Sequence, residues 1–178
     1  MKKKKPVPKY LYHHTGFGHL RMIVEDGFLK RTASNLLPVD KATERYEPIY
    51  DKQGNICGDR HTSKSDSYKP VVWLTTEERV IPFEMGLTSE KTRVTFVFRF
   101  SPRFVPWKDF ADANKMNPAW RHTFEQGRKP KTWYVCQSNI NISEAVEIRA
   151  YVDCDEDKEY ILGLVPNAVI IESGKADP

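Results

Sequence analysis

Hydrophobic and polar positions along this chain switch between two periods. Tyr10 to Thr15 is built from residues that favour strands. From His19 the spacing becomes helical. Leu20, Ile23 and Val24 fall at i, i+3 and i+4, and Phe28 continues the stripe one turn later. Gly27 stands where a helix end favours a left-handed residue, and Thr15 or Gly18 is placed to start the helix. The strand thus delivers His13, His14 and Thr15 to a helix N-terminus, whose unpaired N–H groups suit an anion. The competing interpretation is a set of satisfied polar residues at an ordinary strand end.

The remaining pattern is mostly strand-like. Residues 31–69 carry few large apolar side chains, and Asp51 to Asn55 resembles a turn at the tip of a small hairpin flanked by Ile49 and Ile56. So long an irregular stretch is either a functional flap or disordered. Pro70 to Thr76 is a near-continuous apolar strand, and residues 77–90 read as a short helix or loop limited by Pro82. In the strand from Thr92 to Phe100, Val94, Phe96, Phe98 and Phe100 share one face, with Thr95, Val97 and Arg99 on the other. Helical patches begin at Trp107 and Pro118, a basic turn spans Gln126 to Lys131, and Trp133 to Cys136 is a strand. In Ala145 to Val152, Val146, Ile148, Ala150 and Val152 face one way and Glu147, Arg149 and Tyr151 the other. Tyr160 to Leu164 and Ala168 to Ile171 read as closing strands. Strands gather late and helices lie earlier, which predicts an α+β fold.

Composition narrows the class. The 178 residues fit one domain, with a basic tail over 1–9, the domain over 10–172 and a frayed end over 173–178. A net charge of +4 permits a nucleic-acid partner without requiring one. Cys57, Cys136 and Cys154 are widely spaced, which argues against a disulfide framework and predicts a cytoplasmic protein. Lys2 to Lys5 has no apolar segment behind it, and no run of about 18 apolar residues exists to span a membrane. A monomer is expected.

Glu147 is the most informative acid, because it lies inside a strand opposite the aliphatic side chains. One register places Glu147, Arg149 and Tyr151 in a cleft, with Glu144 at its rim or on the far side. A one-residue slip reverses this, and the plainer alternative is the solvent face of an edge strand. No histidine pair at i, i+4 suggests a metal site, Cys136 has no evident base, and P-loop, dinucleotide-binding and nucleophile-elbow motifs are absent from the sequence.

The order of these pieces carries a resemblance. Leu11-Tyr-His-His-Thr15, the helix ending at Gly27-Phe-Leu29, Val71-Val-Trp-Leu-Thr-Thr76 and a later strand with a lone glutamate together resemble the ADP-ribosyltransferase-like fold. The branch is the one opening on Tyr-His-x-Thr, which includes nucleic-acid-modifying toxins, RNA 2′-phosphotransferases and small phage and bacterial proteins. It spans roughly residues 10–152. The resemblance implies split, strongly curved, antiparallel-rich sheets flanked by a few short helices. It implies that His13 and Thr15 help hold NAD, that Trp73, Thr75 and Thr76 shape the nicotinamide pocket, and that Glu147, with Glu144 in reserve, assists nicotinamide loss. Arg149 or Arg21 would bind the diphosphate, and residues 31–69 would replace the loop that covers NAD. Ala145, two positions before Glu147, departs from the acidic or glutamine residue of many protein-modifying members, which argues against arginine modification. The basic positions of a 2′-phosphotransferase are not matched.

The expected activity is NAD-dependent transfer of ADP-ribose to a nucleic acid or protein. Two alternatives stand beside it. One is a nucleic-acid-binding module using Lys2–Lys5, Arg128, Lys129 and Lys131 interleaved with Trp107, Trp120 and Trp133. The other is a protein-binding inhibitor, such as a phage counter-defence factor, that keeps the fold without the reaction.

Overall fold

The computed structural model describes residues 6–31, 46–50, 56–61, 70–116 and 118–172. The tails at 1–5 and 173–178, and most of the 31–69 flap, lie outside the described residues. In chain order the elements are β1 (Tyr10–Thr15), α1 (Phe17–Asp26), β2 (Phe28–Leu29), β3 (Tyr46–Tyr50), β4 (Ile56–His61), β5 (Val72–Thr75), α2 (Pro82–Met85), β6 (Val94–Arg99), β7 (Phe104–Pro106), α3 (Trp107–Ala113), α4 (Pro118–Glu125), β8 (Trp133–Cys136), β9 (Ile140–Asn141), β10 (Ala145–Val152), α5 (Asp155–Leu164) and β11 (Val169–Glu172).

The fold is α+β, with a large, mostly antiparallel sheet in the order β11-β10-β6-β1-β5-β8-β7. Among the described strands only β10 and β11 run parallel. The expected hairpin exists as the antiparallel pair β3 and β4, whose connecting residues 51–55 are outside the described residues. One expectation fails: Tyr160 to Leu164 is the second half of helix α5, not a strand. Asp155, Glu156 and Asp157 occupy its first turn, where carboxylates oppose the positive end of the helix dipole, and this overrides the β-propensity of Tyr160 and Ile161.

Strand alternation divides the sheet cleanly. Leu11, Val72, Leu74, Val94, Phe96, Phe98, Cys136, Ala150 and Val152 form one buried face, against which Phe17 and Leu20 of α1 and Ile161 of α5 pack. On the other face Val71, Trp133 and Val135 pack with Trp107, Phe110 and Ala111 of α3. That second core covers only the β5-β8-β7 end. Towards β1, β6 and β10 the same face is polar.

Strand β10 is internal over its second half: β6 pairs along it, and β11 pairs with Arg149–Val152. The register shifts between Ala145 and Glu147, so Val146 is the bulged residue and is exposed rather than aligned with Ile148. Beyond the bulge Glu147 stands opposite Val97, and Arg149 opposite Thr95. The plain edge-strand interpretation therefore fails for Arg149, while Glu147 lies past the end of β11.

Trp107 is fully buried, its ring packs 5.0 Å from that of Trp73, and its Nε1–H donates to Glu125 at 2.6 Å. Trp107→Ala is expected to cost about 3–5 kcal/mol, read as a lower midpoint in denaturant unfolding. An unchanged midpoint would show that the second core is not cooperative with the sheet.

Candidate functional site

The two halves of the sheet meet at a narrow junction. Strands β1 and β5 pair only at Tyr12 and Thr75, although both continue beyond that point. The Trp73 carbonyl is instead satisfied by a side chain: His13 Nδ1–H donates to it at 2.8 Å. That bond fixes the tautomer and leaves Nε2 as an acceptor with no hydrogen-bond partner among the described residues. Burial, opposed by the bond to Trp73, lowers the His13 pKa to about 4, so the ring is neutral at pH 7.

His14 faces the other way. Its Nε2–H donates to the Glu77 carbonyl at 3.1 Å, and its Nδ1 accepts from the Thr95 hydroxyl at 2.9 Å. Both ring nitrogens are used, and burial lowers its pKa as well. Thr75 is equally committed: its hydroxyl donates to Thr132 Oγ1 at 3.2 Å and accepts the Glu77 N–H at 3.1 Å. These bonds hold the loop after β5 against β1 and the 130–132 turn.

That loop brings Glu78 to Arg149. Arg149 donates Nη1 to Glu78 and Nε to Glu147, so one guanidinium bridges two carboxylates. Its pKa is raised, chiefly by the bond to Glu147 and then by Glu78, against the opposing effect of burial. The phenol of Tyr12 is pushed up by burial and then by the Glu78 charge. Arg149 is 19 % exposed and Glu147 35 %, so both are reachable yet partly screened from water. Tyr12, His14, Thr75, Thr95, Glu147 and Arg149 share one face by register. The ring of Trp73 borders them from the second core, 5.9 Å from both Trp133 and Phe124.

The sequence-derived residues therefore separate. Glu147, Arg149, Trp73 and Thr75 come together on one face. His13 and Thr15 leave β1 on the opposite face, beside Phe96 and Val94. Thr76 caps the end of β5, its N–H bonded to the Thr132 carbonyl at 2.9 Å. Glu144 is not on β10 at all. It closes a capping box with Asn141 in the 142–144 turn and pairs with Arg103. Arg21 is exposed on α1 and paired with Glu25 at 2.8 Å. The α1 N-terminus is not open to an anion either, because Glu90 accepts the Phe17 N–H at 2.9 Å. Gly16 allows that approach, since a Cβ there would stand 2.9 Å from the Glu90 oxygen. Cys136 is buried and hydrogen-bonded to Ser138 at 3.3 Å, with no base bonded to it among the described residues.

Tyr12 and Glu78 were not singled out by the sequence. Tyr12 carries a parity signal, since it alternates with His13, but Glu78 reaches the cluster only through the loop after β5.

No protein-family model, no curated protein and no solved structure matches this chain. The site offers two carboxylates, a guanidinium, a phenol and an aromatic wall on a half-covered sheet face.

Two neutral histidines make the junction pH-sensitive. A lowered pKa means the unfolded chain binds more protons, so this stability is fully present above about pH 6.5 and is lost as pH falls towards 4. For His13 the ceiling is about 3 kcal/mol. Urea unfolding of wild type at pH 7 and pH 4.5 should show the fall, and His13→Gln should reduce it. An equal fall in the variant would contradict the assignment.

Proposed function

We propose that this protein is an NAD-dependent ADP-ribosyltransferase that transfers ADP-ribose to a nucleic acid or protein and releases nicotinamide. The observation that carries the reading is Glu147 held beside Arg149 on the same sheet face as Trp73 and Tyr12. The motif order quoted from the sequence supports it as a resemblance.

Breaking the nicotinamide–ribose bond sends the bonding pair to the nicotinamide nitrogen and leaves positive charge on the ribose. A fixed carboxylate stabilises that charge far better on a partly dry face than in water. Glu147 supplies it. In the absence of NAD its charge is neutralised by Arg149, which also holds Glu78. The diphosphate of NAD competes for the same planar donors, and an Arg–phosphate pair satisfies them bidentately. Binding thereby frees carboxylate oxygen for the ribose. Trp73 offers the nicotinamide ring a flat apolar wall. The acceptor then attacks the ribose carbon and loses its proton to a base.

His13 takes a different role from the one the motif implies. It acts from the opposite face, holding the Trp73 carbonyl and so the position of the wall.

Nicotinamide release from NAD, with and without cell extract, tests this. Glu147→Gln should lower the rate roughly a hundred- to a thousand-fold. His13→Ala should lower it through loss of the junction, together with thermal stability. No release, and no thermal shift at millimolar NAD, would overturn the reading.

A nucleic-acid-binding module is the second reading, and the basic turn 126–131 favours it. Its expected stacking platform is corrected: Trp107 and Trp133 are both buried core residues. The side chain of Trp120 lies outside the described residues.

A further inference from the structure

An open cavity of about 540 Å³ lies against the end of α4 and the basic turn after it. Its lining includes His122, Glu125, Arg128, Lys129, Lys131 and Thr132. The charges are unevenly used. Glu125, the one acid in the lining among the described residues, is already bonded to Arg121 and to Trp107. Lys129 pairs with Glu84 at 2.6 Å. Arg128, Lys131 and His122 have no carboxylate partner among the described residues. Arg128 is also pre-positioned, lying against Gly86 and over the ring of Phe124 at 5.1 Å.

An apolar group stands at the same place. Phe83 of α2 is 78 % exposed and the neighbouring Ile81 59 %. The 81–86 segment is fixed to the basic turn, because Lys129 N–H donates to the Glu84 carbonyl at 3.1 Å. The Phe83 ring lies beside Gly127, 3.8 Å from where a Cβ would sit. An exposed aromatic next to cations that have no carboxylate partner among the described residues matches the way single strands are bound, with phosphates on Arg and Lys and a base on the ring.

We infer that this cavity and Phe83 bind single-stranded nucleic acid, with phosphates on Arg128 and Lys131 and a base stacked on Phe83. Thr132 lines the cavity and is bonded to Thr75, so the strand would lie next to the face that carries Glu147. That the bound strand is the acceptor rests on the transferase reading; the binding itself does not.

The test is fluorescence anisotropy with a labelled mixed-sequence oligonucleotide, as DNA and as RNA, without NAD. Wild type should bind, more weakly as salt rises. The double variant Arg128→Ala, Lys131→Ala should bind at least tenfold more weakly, and its log–log salt slope should fall by roughly 0.7 per cation removed. Phe83→Ala should lose about tenfold, and Phe83→Tyr should retain binding because the ring is kept. Lys91→Ala, an exposed cation elsewhere, should stay within about twofold, in line with one weak surface charge. Tighter binding of one sugar type names the natural strand. No wild-type binding, equal binding by all variants, or equal competition by polyglutamate would overturn the inference. Binding retained by a protein that releases no nicotinamide would sink only the transferase reading.

Discussion

The junction between β1 and β5 is the constraint on which the rest depends. One residue pair, Tyr12 with Thr75, joins the β11-β10-β6-β1 half of the sheet to the β5-β8-β7 half. A carbonyl left unpaired there would cost about 1–3 kcal/mol, and the His13 ring removes that cost while staying neutral. Around the junction, His14, Thr75, Thr95 and the Glu77 backbone bond to one another and to Thr132. Both adjacent histidines thus hold bonds within the junction. Burial lowers both pKa values, which favours the neutral imidazole in each place.

The polar groups of the candidate site lie on the side of the junction where the second core stops. The aromatic packing of Trp73, Trp107, Trp133 and Phe124 ends at the polar groups of β1, β6 and β10. Arg149 sits there between Glu147 and Glu78, one guanidinium bridging two carboxylates on a partly covered face. Thr132, which is bonded to Thr75 on this face, also lines the basic cavity, and this places two candidate binding regions within one hydrogen-bonded frame.

Much of this was legible in the sequence, for identifiable reasons. Period-2 alternation in Val94–Arg99 and Ala145–Val152 located both strands and predicted that Glu147 and Arg149 share a face. Period-3.6 spacing and Gly27, which has φ 74°, located α1 and its end. What escaped depended on tertiary context. The bulge at Val146 has no local signature, and the acidic first turn of α5 outweighed the strand propensity after it. Glu144 was drawn into a capping box that only the neighbouring Asn141 explains, and Glu90 filled the helix N-terminus from far along the chain. The face on which His13 emerges follows from pairing with Phe96, which no motif could state.

Backbone amide shifts during an NAD titration test the central claim most directly. The account predicts changes concentrated at Tyr12, Trp73, Thr75, Glu147 and Arg149, saturating together and lost in Arg149→Ala. Shifts confined to other surfaces, or none at millimolar NAD, would contradict it.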